Sequence, residues 1–310
     1  MTVFVTGATG FIAQHVIKEL LKQGFKVMGS VRSESKEGAF DEVLQSNKDI
    51  DSFIHTACPV DFQVNDIRAG LLQPALEGTR NALSAIEKYG NVKTVVATSS
   101  TAAVRDSDAS KNKDRTITES SWNTITLEQE LNTGRLGYDA AKTFAEKDVW
   151  KFAEKHKNDL NVITVNPSFV YGPQAFKIKD KNNLNESAEM VNRVLKLKPT
   201  DEIPQLMGRF IDVRDVAKAH VEAVKRPQEL NGKRLVLVEP AWTNELIAVI
   251  INKHFPNVDI PKGSLEEHEQ QLKEGDLKWD TSKTNALLNF DFISLEDSIV
   301  DTVKQILEAN

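Results

Sequence analysis

The 310-residue sequence has little of several features that would place it in particular classes of protein. It has one cysteine, Cys58, so no disulfide can form within the chain, and we expect a cytoplasmic location. Its net charge of −6 disfavours non-specific nucleic-acid binding. No apolar run reaches membrane-spanning length, and no signal-peptide pattern precedes the first predicted strand. The six histidines lack the spacing of metal ligands, so we predict no metal site.

What the sequence does contain, near its start, is a glycine-containing turn. Apolar residues from Val3 to Val5 predict a buried strand, and periodic apolar residues from Ile12 onward predict a helix. The turn between them has the spacing G-x-x-G-x-x-A, formed by Gly7, Gly10 and Ala13. A strand, a tight turn and a helix N-terminus together expose backbone N–H groups that attract phosphate. We therefore predict a dinucleotide site, with an ordinary strand-to-helix turn as the alternative.

Strands and helices alternate along the first half of the chain, which predicts an α/β fold with a doubly wound parallel sheet. Beyond Gly172 the pattern is mostly helical, with one further strand at residues 234–238. We predict a dinucleotide-binding Rossmann domain over residues 1–170, to which residues 209–240 return. The remaining part, residues 171–310, is predicted to form a smaller, mostly helical substrate-binding domain.

The end of the second predicted strand indicates which dinucleotide is bound. In such folds a carboxylate at this position binds the 2′-hydroxyl of NAD, whereas a cation accepts the 2′-phosphate of NADP. Here the strand is followed by Arg32 and Lys36, and the first carboxylate is Glu34. Arg32 can contact a phosphate with two N–H groups and Lys36 can add charge. The residues favour NADP, although two solvated surface cations are the alternative.

A second pattern, Y-x-x-x-K, opens a predicted helix at Tyr138 and places Tyr138 and Lys142 on one face of it. A nearby ammonium group favours the phenolate, which makes the tyrosine a better proton donor and acceptor. Ser100 follows a predicted sheet strand, at the edge where open α/β sheets bind ligands. Each feature alone has an ordinary explanation, an exposed helical lysine or a serine that caps a turn. Their occurrence together after the glycine turn predicts a catalytic set.

With these motifs, the sequence resembles the extended short-chain dehydrogenases/reductases. Within them it is most similar to the yeast NADPH-dependent carbonyl reductases of methylglyoxal and isovaleraldehyde, and to the related dihydroflavonol reductases. The resemblance extends along nearly the whole chain. Its motifs are Val3–Gly7, Gly10–His15, His55–Ala57, Thr98–Ser100, Tyr138–Lys142, Asn166–Pro167, Tyr171–Gln174 and Phe210–His220.

The resemblance implies the reduction of aldehydes and ketones to alcohols by hydride transfer from NADPH. Ser100 would orient the carbonyl, Tyr138 would donate the proton, and Lys142 would lower the pKa of the tyrosine and hold the nicotinamide ribose. The implied cofactor contacts are Gly7, Thr9, Gly10, Phe11, Ile12, Arg32, Lys36, Thr56, Ala57, Tyr138, Lys142, Pro167, Val170 and Ser187. The expected walls of the substrate pocket are Val60, Phe62, Thr101 and Phe169.

The chain departs from the family pattern after Lys36, where roughly twenty residues and an edge strand of a complete fold are missing. Either the protein has lost this segment, or the sequence omits it. Two other functions remain as alternatives: a nucleotide-sugar epimerase or dehydratase, and a redox sensor that binds dinucleotide without chemistry. The expected partner is a small carbonyl substrate, with neither nucleic acid nor membrane. A monomer and a homodimer both fit the sequence.

Overall fold

The computed structural model describes residues 1–31, 39–58, 64–106, 108, 115–178, 181 and 184–309. Its strands, in chain order, are β1 Thr2–Thr6, β2 Lys26–Gly29, β3 Ile50–His55, β4 Thr94–Thr98, β5 Ile117–Thr118, β6 Asn161–Pro167, β7 Phe169–Tyr171, β8 Met207–Asp212, β9 Arg234–Leu237, β10 Glu239–Thr243 and β11 Trp279–Asp280. Its α-helices are α1 Phe11–Lys22, α2 Ala39–Ser46, α3 Gln73–Tyr89, α4 Gly134–Lys155, α5 Glu186–Leu195, α6 Val213–Lys225, α7 Pro227–Leu230, α8 Asn244–His254, α9 Leu265–Gly275, α10 Ser282–Leu288 and α11 Leu295–Leu307. A π-helical turn, Arg68–Leu72, precedes α3, and a 3₁₀ turn, Thr101–Ala103, follows β4.

The largest sheet has the strand order β2-β1-β3-β4-β6-β9 within the described residues, and every pair is parallel. Helices α1 and α6 pack on one face, where Val16 and Val216 belong to the same apolar core as Val5. Helices α2, α3 and α4 cover the other face, where Phe53 and Leu83 are buried. The predicted doubly wound parallel sheet is therefore confirmed. In the part of the chain that the structure describes, no helix has the length and apolar character that crossing a membrane requires.

The second half of the chain contains a small sheet that the sequence pattern did not predict. Strands β10, β8 and β7 form it, with helices α5, α8 and α11 around a core that contains Trp242. Gly208 and Pro240 interrupt β8 and β10, so neither shows the alternation that identifies a strand. Strand β9 returns to the large sheet, and α6 packs against α1. The division into two domains at residue 170 stays a prediction.

Strand β2 is the outer strand of the large sheet among the described residues. The chain passes from β2 through α2 to β3, which lies on the other side of β1. A complete fold of this kind has a further strand outside β2. In the described part of the sheet no strand lies outside β2, which agrees with the expected loss of an edge strand.

Helix α4 begins earlier than its sequence pattern indicates. The prediction that Tyr138 opens the helix is wrong, because α4 starts at Gly134, where the Thr133 hydroxyl caps it by accepting from the N–H of Leu136 at 3.2 Å. Gly137 obscures this first turn, since glycine is a poor helix former. A Cβ atom at Gly137 would lie only 2.1 Å from Cγ2 of Ile67. Glycine therefore allows α4 to approach the π-helical turn closely.

Replacing Gly137 with alanine should lower the free energy of unfolding by about 1–3 kcal/mol, because the added methyl group overpacks against Ile67. Gly78, within α3, is a matched control because no neighbouring atom lies within 4 Å of its added Cβ. Gly78→Ala should stabilise the protein by about 0.5–1 kcal/mol through helix propensity. Urea unfolding measures both changes, and equal effects of the two substitutions would contradict the close contact.

Candidate functional site

The predicted phosphate-binding turn connects β1 to α1. Gly7 has a left-handed backbone with φ of +66°, and its carbonyl accepts from the N–H of Gly10 at 2.8 Å. Gly10 caps α1 without a side-chain hydrogen bond, and the first turn of the helix carries no acidic residue. Thr9 and Gly10 are exposed. The turn thus presents backbone N–H groups and a helix N-terminus to solvent, as phosphate binding requires.

A buried histidine fixes the neighbouring strand end beside this turn. The hydroxyl of Thr6 accepts from the N–H groups of Thr56 and Ala57, both at 3.1 Å, so its own proton goes to Nδ1 of His55 at 3.0 Å. Burial lowers the pKa of His55 to about 4, so the ring is neutral at pH 7. This arrangement holds Thr56 and Ala57 next to Gly7, whose added Cβ would lie 3.2 Å from the Cα of Ala57.

The structure brings Ser100, Tyr138 and Lys142 together at the carboxyl end of β4. Ser100 Oγ accepts from the N–H of Ala102 at 3.1 Å, which caps the 3₁₀ turn. Lys142 Nζ donates to the carbonyl of Thr98 at 3.2 Å and lies 5.9 Å from the centre of the Tyr138 ring. The hydroxyl of Tyr138 is hydrogen-bonded to the side chain of Ser100. A carbonyl oxygen placed here would meet both hydroxyl groups.

Two opposing effects act on the Tyr138 hydroxyl. Burial raises the pKa of Tyr138, while the charge of Lys142 and the hydrogen bond from Ser100 lower it. The lysine acts in the expected direction, but burial is larger and the tyrosine pKa lies above its usual value. Tyr138 is therefore protonated at neutral pH, which is the state that a proton donor needs.

Cys58 contacts the same lysine. Cys58 packs half-buried against the apolar cluster that contains Leu72, and its sulfur is also hydrogen-bonded to the Lys142 ammonium group. Burial lowers the pKa of Lys142, and the interactions with Cys58, Tyr138 and Glu146 together more than offset this, so the lysine pKa is raised. Cys58 and Lys142 also line a narrow cavity of about 20 Å³ with His55 and Thr79.

His220 is a further part of the site that the sequence reasoning did not identify. The hydroxyl of Thr98 donates to His220 Nε2 at 2.7 Å, and His220 Nδ1 donates to the carbonyl of Val216 at 2.8 Å. Burial lowers the pKa of His220 to about 4. The ring therefore links α6 to Thr98, the last residue of β4, whose carbonyl accepts from Lys142. His220 is the last residue of the Phe210–His220 motif. The motif includes this residue, but nothing in the motif indicates that its ring contacts Thr98.

The other predicted site residues lie in several places. Thr101 is buried at the start of the 3₁₀ turn, Pro167 ends β6, and Ser187 is in the first turn of α5. Val170 packs half-buried against the core, and the Phe169 ring meets that of Trp242 edge-on at 5.3 Å. Phe11 and Ile12 form the first turn of α1. Arg32, Lys36, Val60 and Phe62 lie outside the described residues. Within the described part of the chain, no group of three potential metal ligands occurs.

The sheet order, the phosphate-binding turn and the Ser-Tyr-Lys arrangement are those of a dinucleotide-dependent enzyme with the Rossmann fold. Residues 3–238 match the model of the NAD dependent epimerase/dehydratase family, and the chain belongs to this family. The resemblance to extended short-chain dehydrogenases/reductases is confirmed.

Individual relatives cover almost the entire chain. It is 42% identical to GRP2 of Candida albicans, over 99% of this chain and 98% of the relative. It is 39% identical to the NADPH-dependent methylglyoxal reductase GRE2 of Saccharomyces cerevisiae, with the same coverage of both chains. The crystal structure of Candida albicans Gre2 in complex with NADPH superposes with a TM-score of 0.93 at 39% identity, covering 100% of this chain and 99% of that one.

These alignments also bear on the shortened region. The alignment with GRP2 extends over 337 positions, whereas this chain has 310 residues, so at least 27 positions have no residue of this chain. The relative is therefore longer within the matched region. This agrees with a fold that lacks a strand outside β2.

The two buried histidines predict how stability depends on pH. Their pKa values fall from 6.5 in the unfolded chain to about 4 in the fold, so the unfolded state binds more protons between these values. The stabilisation is complete above about pH 6.5 and is lost as the pH falls toward 4. His220→Gln should reduce this loss by up to about 3 kcal/mol, measured by urea unfolding across the same pH range. An unchanged pH dependence would show that His220 is not a neutral buried group.

Proposed function

We propose that this protein reduces aldehydes and ketones to alcohols with NADPH as the hydride donor. The observation that carries the proposal is the meeting of Ser100, Tyr138 and Lys142 at the edge of the sheet where the phosphate-binding turn also lies. The NADPH dependence named for the Saccharomyces cerevisiae relative supports the choice of cofactor. The residues present also fit a dinucleotide, since the N-terminus of α1 is uncapped by side chains and open to solvent.

In the proposed reaction the hydroxyl groups of Ser100 and Tyr138 donate hydrogen bonds to the substrate carbonyl oxygen. Bound NADPH supplies the hydride to the carbonyl carbon. As negative charge develops on the oxygen, Tyr138 transfers its proton there and becomes a phenolate. The Lys142 ammonium group stabilises that phenolate, which compensates for the burial that otherwise raises the tyrosine pKa. Proton exchange with solvent then restores Tyr138.

The cofactor would extend along the carboxyl edge of the sheet. The turn from Gly7 to Ile12 would bind its pyrophosphate, Thr56 and Ala57 would line its centre, and Lys142 would hold the nicotinamide ribose. Pro167, Val170 and Ser187 are the proposed contacts near the nicotinamide. Arg32 and Lys36 remain the proposed partners of the 2′-phosphate.

The proposed substrates are small or medium carbonyl compounds with apolar groups. Thr101 and Phe169, with Val60 and Phe62, would form the pocket walls. Methylglyoxal and isovaleraldehyde are suitable test compounds, because the similar crystal structure of yeast Gre2 in complex with NADPH is that of a methylglyoxal/isovaleraldehyde reductase. The cytoplasmic location and the choice between monomer and homodimer stay predictions.

Two alternatives have less support. An epimerase or dehydratase acting on nucleotide sugars shares the family, but the relatives at 39% identity and above include the reductase GRE2. A dinucleotide sensor without chemistry would have no need of a hydrogen-bonded Ser-Tyr pair beside a buried lysine.

An NADPH-oxidation assay with methylglyoxal, isovaleraldehyde and an aryl ketone tests the proposal. Tyr138→Phe should lower kcat at least about 100-fold, because it removes the proton donor. Tyr89→Phe is the control and should leave kcat unchanged, since Tyr89 is the last residue of α3 and its ring packs against the core that contains Phe53 and Leu83. No turnover of a broad carbonyl panel by the unmodified protein would refute the reductase function. Full activity of Tyr138→Phe would refute the mechanism alone.

A further inference from the structure

Beneath the catalytic residues of α4 lies a buried carboxylate that the proposed reaction does not use. Tyr138, Lys142 and Glu146 follow one another at intervals of four, so they share one face of the helix. Glu146 is only 2% exposed. A buried carboxylate is costly unless charge and hydrogen bonds compensate it, so its contacts should be extensive.

Hydrogen-bond donors from several parts of the fold converge on Glu146. Its Oε2 atom accepts from Ser99 Oγ at 2.6 Å and from Asn166 Nδ2 at 2.7 Å. Its Oε1 atom accepts from Arg234 Nε at 2.6 Å and from Trp150 Nε1 at 3.0 Å. The carboxylate therefore connects α4 with the ends of β4 and β6 and with the start of β9.

Two of these donors hold the backbone around Ser100. Ser99 immediately precedes it, and the Ser99 N–H also donates to the carbonyl of Val165 at 2.8 Å. Asn166 Nδ2, besides its bond to Glu146, donates to the carbonyl of Ser100 at 3.3 Å. The Ser100 hydroxyl thus projects from a backbone segment that is fixed on both sides through Glu146.

Arg234 compensates the charge of Glu146 and is itself fully engaged. Its side chain is 8% exposed. It donates to the carbonyls of Glu119 and Ser121, and its guanidinium group lies 4.0 Å from the centre of the Trp122 ring. The ion pair is therefore held on both sides, and its position is set by the surrounding backbone.

We propose that Glu146 is a positioning residue, which fixes the Ser100 hydroxyl opposite Tyr138 and places a carboxylate one helical turn from Lys142 along α4. This inference rests on the proposed reductase function and adds a residue that touches neither substrate nor cofactor. Well-packed apolar residues could replace the buried Glu146–Arg234 ion pair without loss of stability. A role in positioning Ser100 therefore explains the presence of this pair better than a role in stability does.

The second part of this role follows from the charges around Lys142. His55 and Cys58 face it from the β3 side, and Tyr138 and Glu146 face it along α4. Burial lowers the pKa of Lys142, whereas Cys58, Tyr138 and Glu146 raise it. If a neutral residue replaces Glu146, one of the groups that raise the pKa of Lys142 is lost. The pKa of Lys142 should then fall.

Glu146→Gln tests both parts. We expect kcat to fall on the order of tenfold through the displaced serine, with KM for NADPH within about twofold of the unmodified value. The alkaline limb of the kcat–pH profile should move to lower pH by about half a unit or more, because Lys142 loses its proton earlier. A purely structural role would not move this limb.

A second measurement does not require turnover. The pH at which Lys142 becomes reactive toward an acylating reagent, followed by peptide mass spectrometry, should also fall in Glu146→Gln. If the unmodified protein reduces no carbonyl compound, the proposed function fails, and this labelling still decides the electrostatic role of Glu146. An active protein whose Glu146→Gln variant matches it in kcat, pH profile and labelling would overturn the inference.

Two further variants separate positioning from folding. Asp148→Asn is the matched control: Asp148 lies two residues further along α4 and pairs with Arg80 at 2.7 Å on the surface, so kcat and pH profile should not change. Glu146→Leu/Arg234→Met removes the whole ion pair and should restore the melting temperature if Glu146→Gln lowers it. Its kcat should remain low. Recovery of full activity in this folded double variant would also overturn the inference.

Discussion

The parallel alignment of the large sheet is the constraint on which the candidate site depends. Because the strands run in one direction, their carboxyl ends meet at one edge. Gly7 follows β1, Thr56 follows β3, Ser100 follows β4 and Pro167 ends β6. Residues far apart in the chain thereby become neighbours. An antiparallel arrangement of the same strands would divide them between the two edges.

Strand direction alone places the site residues only approximately. Buried hydrogen bonds between helices and strands then fix their positions. His55 ties the end of β1 to that of β3, His220 ties α6 to β4, and Glu146 ties α4 to β4 and β6. Each link is directional, whereas apolar packing at the same place would allow small sliding movements. The cost of burying these groups is met because each is neutral or paired. The polar network is therefore the part of the core that defines the geometry of the site.

The sequence predicts those features of the structure that depend on residues close to one another along the chain. The turn between Gly7 and Gly10 and the spacing of Tyr138 and Lys142 are visible within one helix or turn, and the alternation of strands and helices predicts the sheet. The Glu146–Arg234 pair was not predictable, because its members are 88 residues apart and each has an ordinary appearance alone. The start of α4 was missed because Gly137, a poor helix former, lies in its first turn. Glycine is needed there because Ile67 leaves no room for a side chain. Strand β8 was missed because Gly208 leaves room for the Phe169 ring.

The described residues form no strand outside β2, and this absence affects a different part of the site from the catalytic residues. Ser100, Tyr138, Lys142 and Glu146 are positioned by β4, β6, β9 and α4, whereas the sheet ends at β2 on the opposite side of β1. The turn at Gly7 lies between these two regions, and His55 fixes it from the side of β3. A shortened adenine side can therefore weaken cofactor affinity without displacing the groups that act on the carbonyl. Affinity and chemistry are separable here because the strands that support them are different.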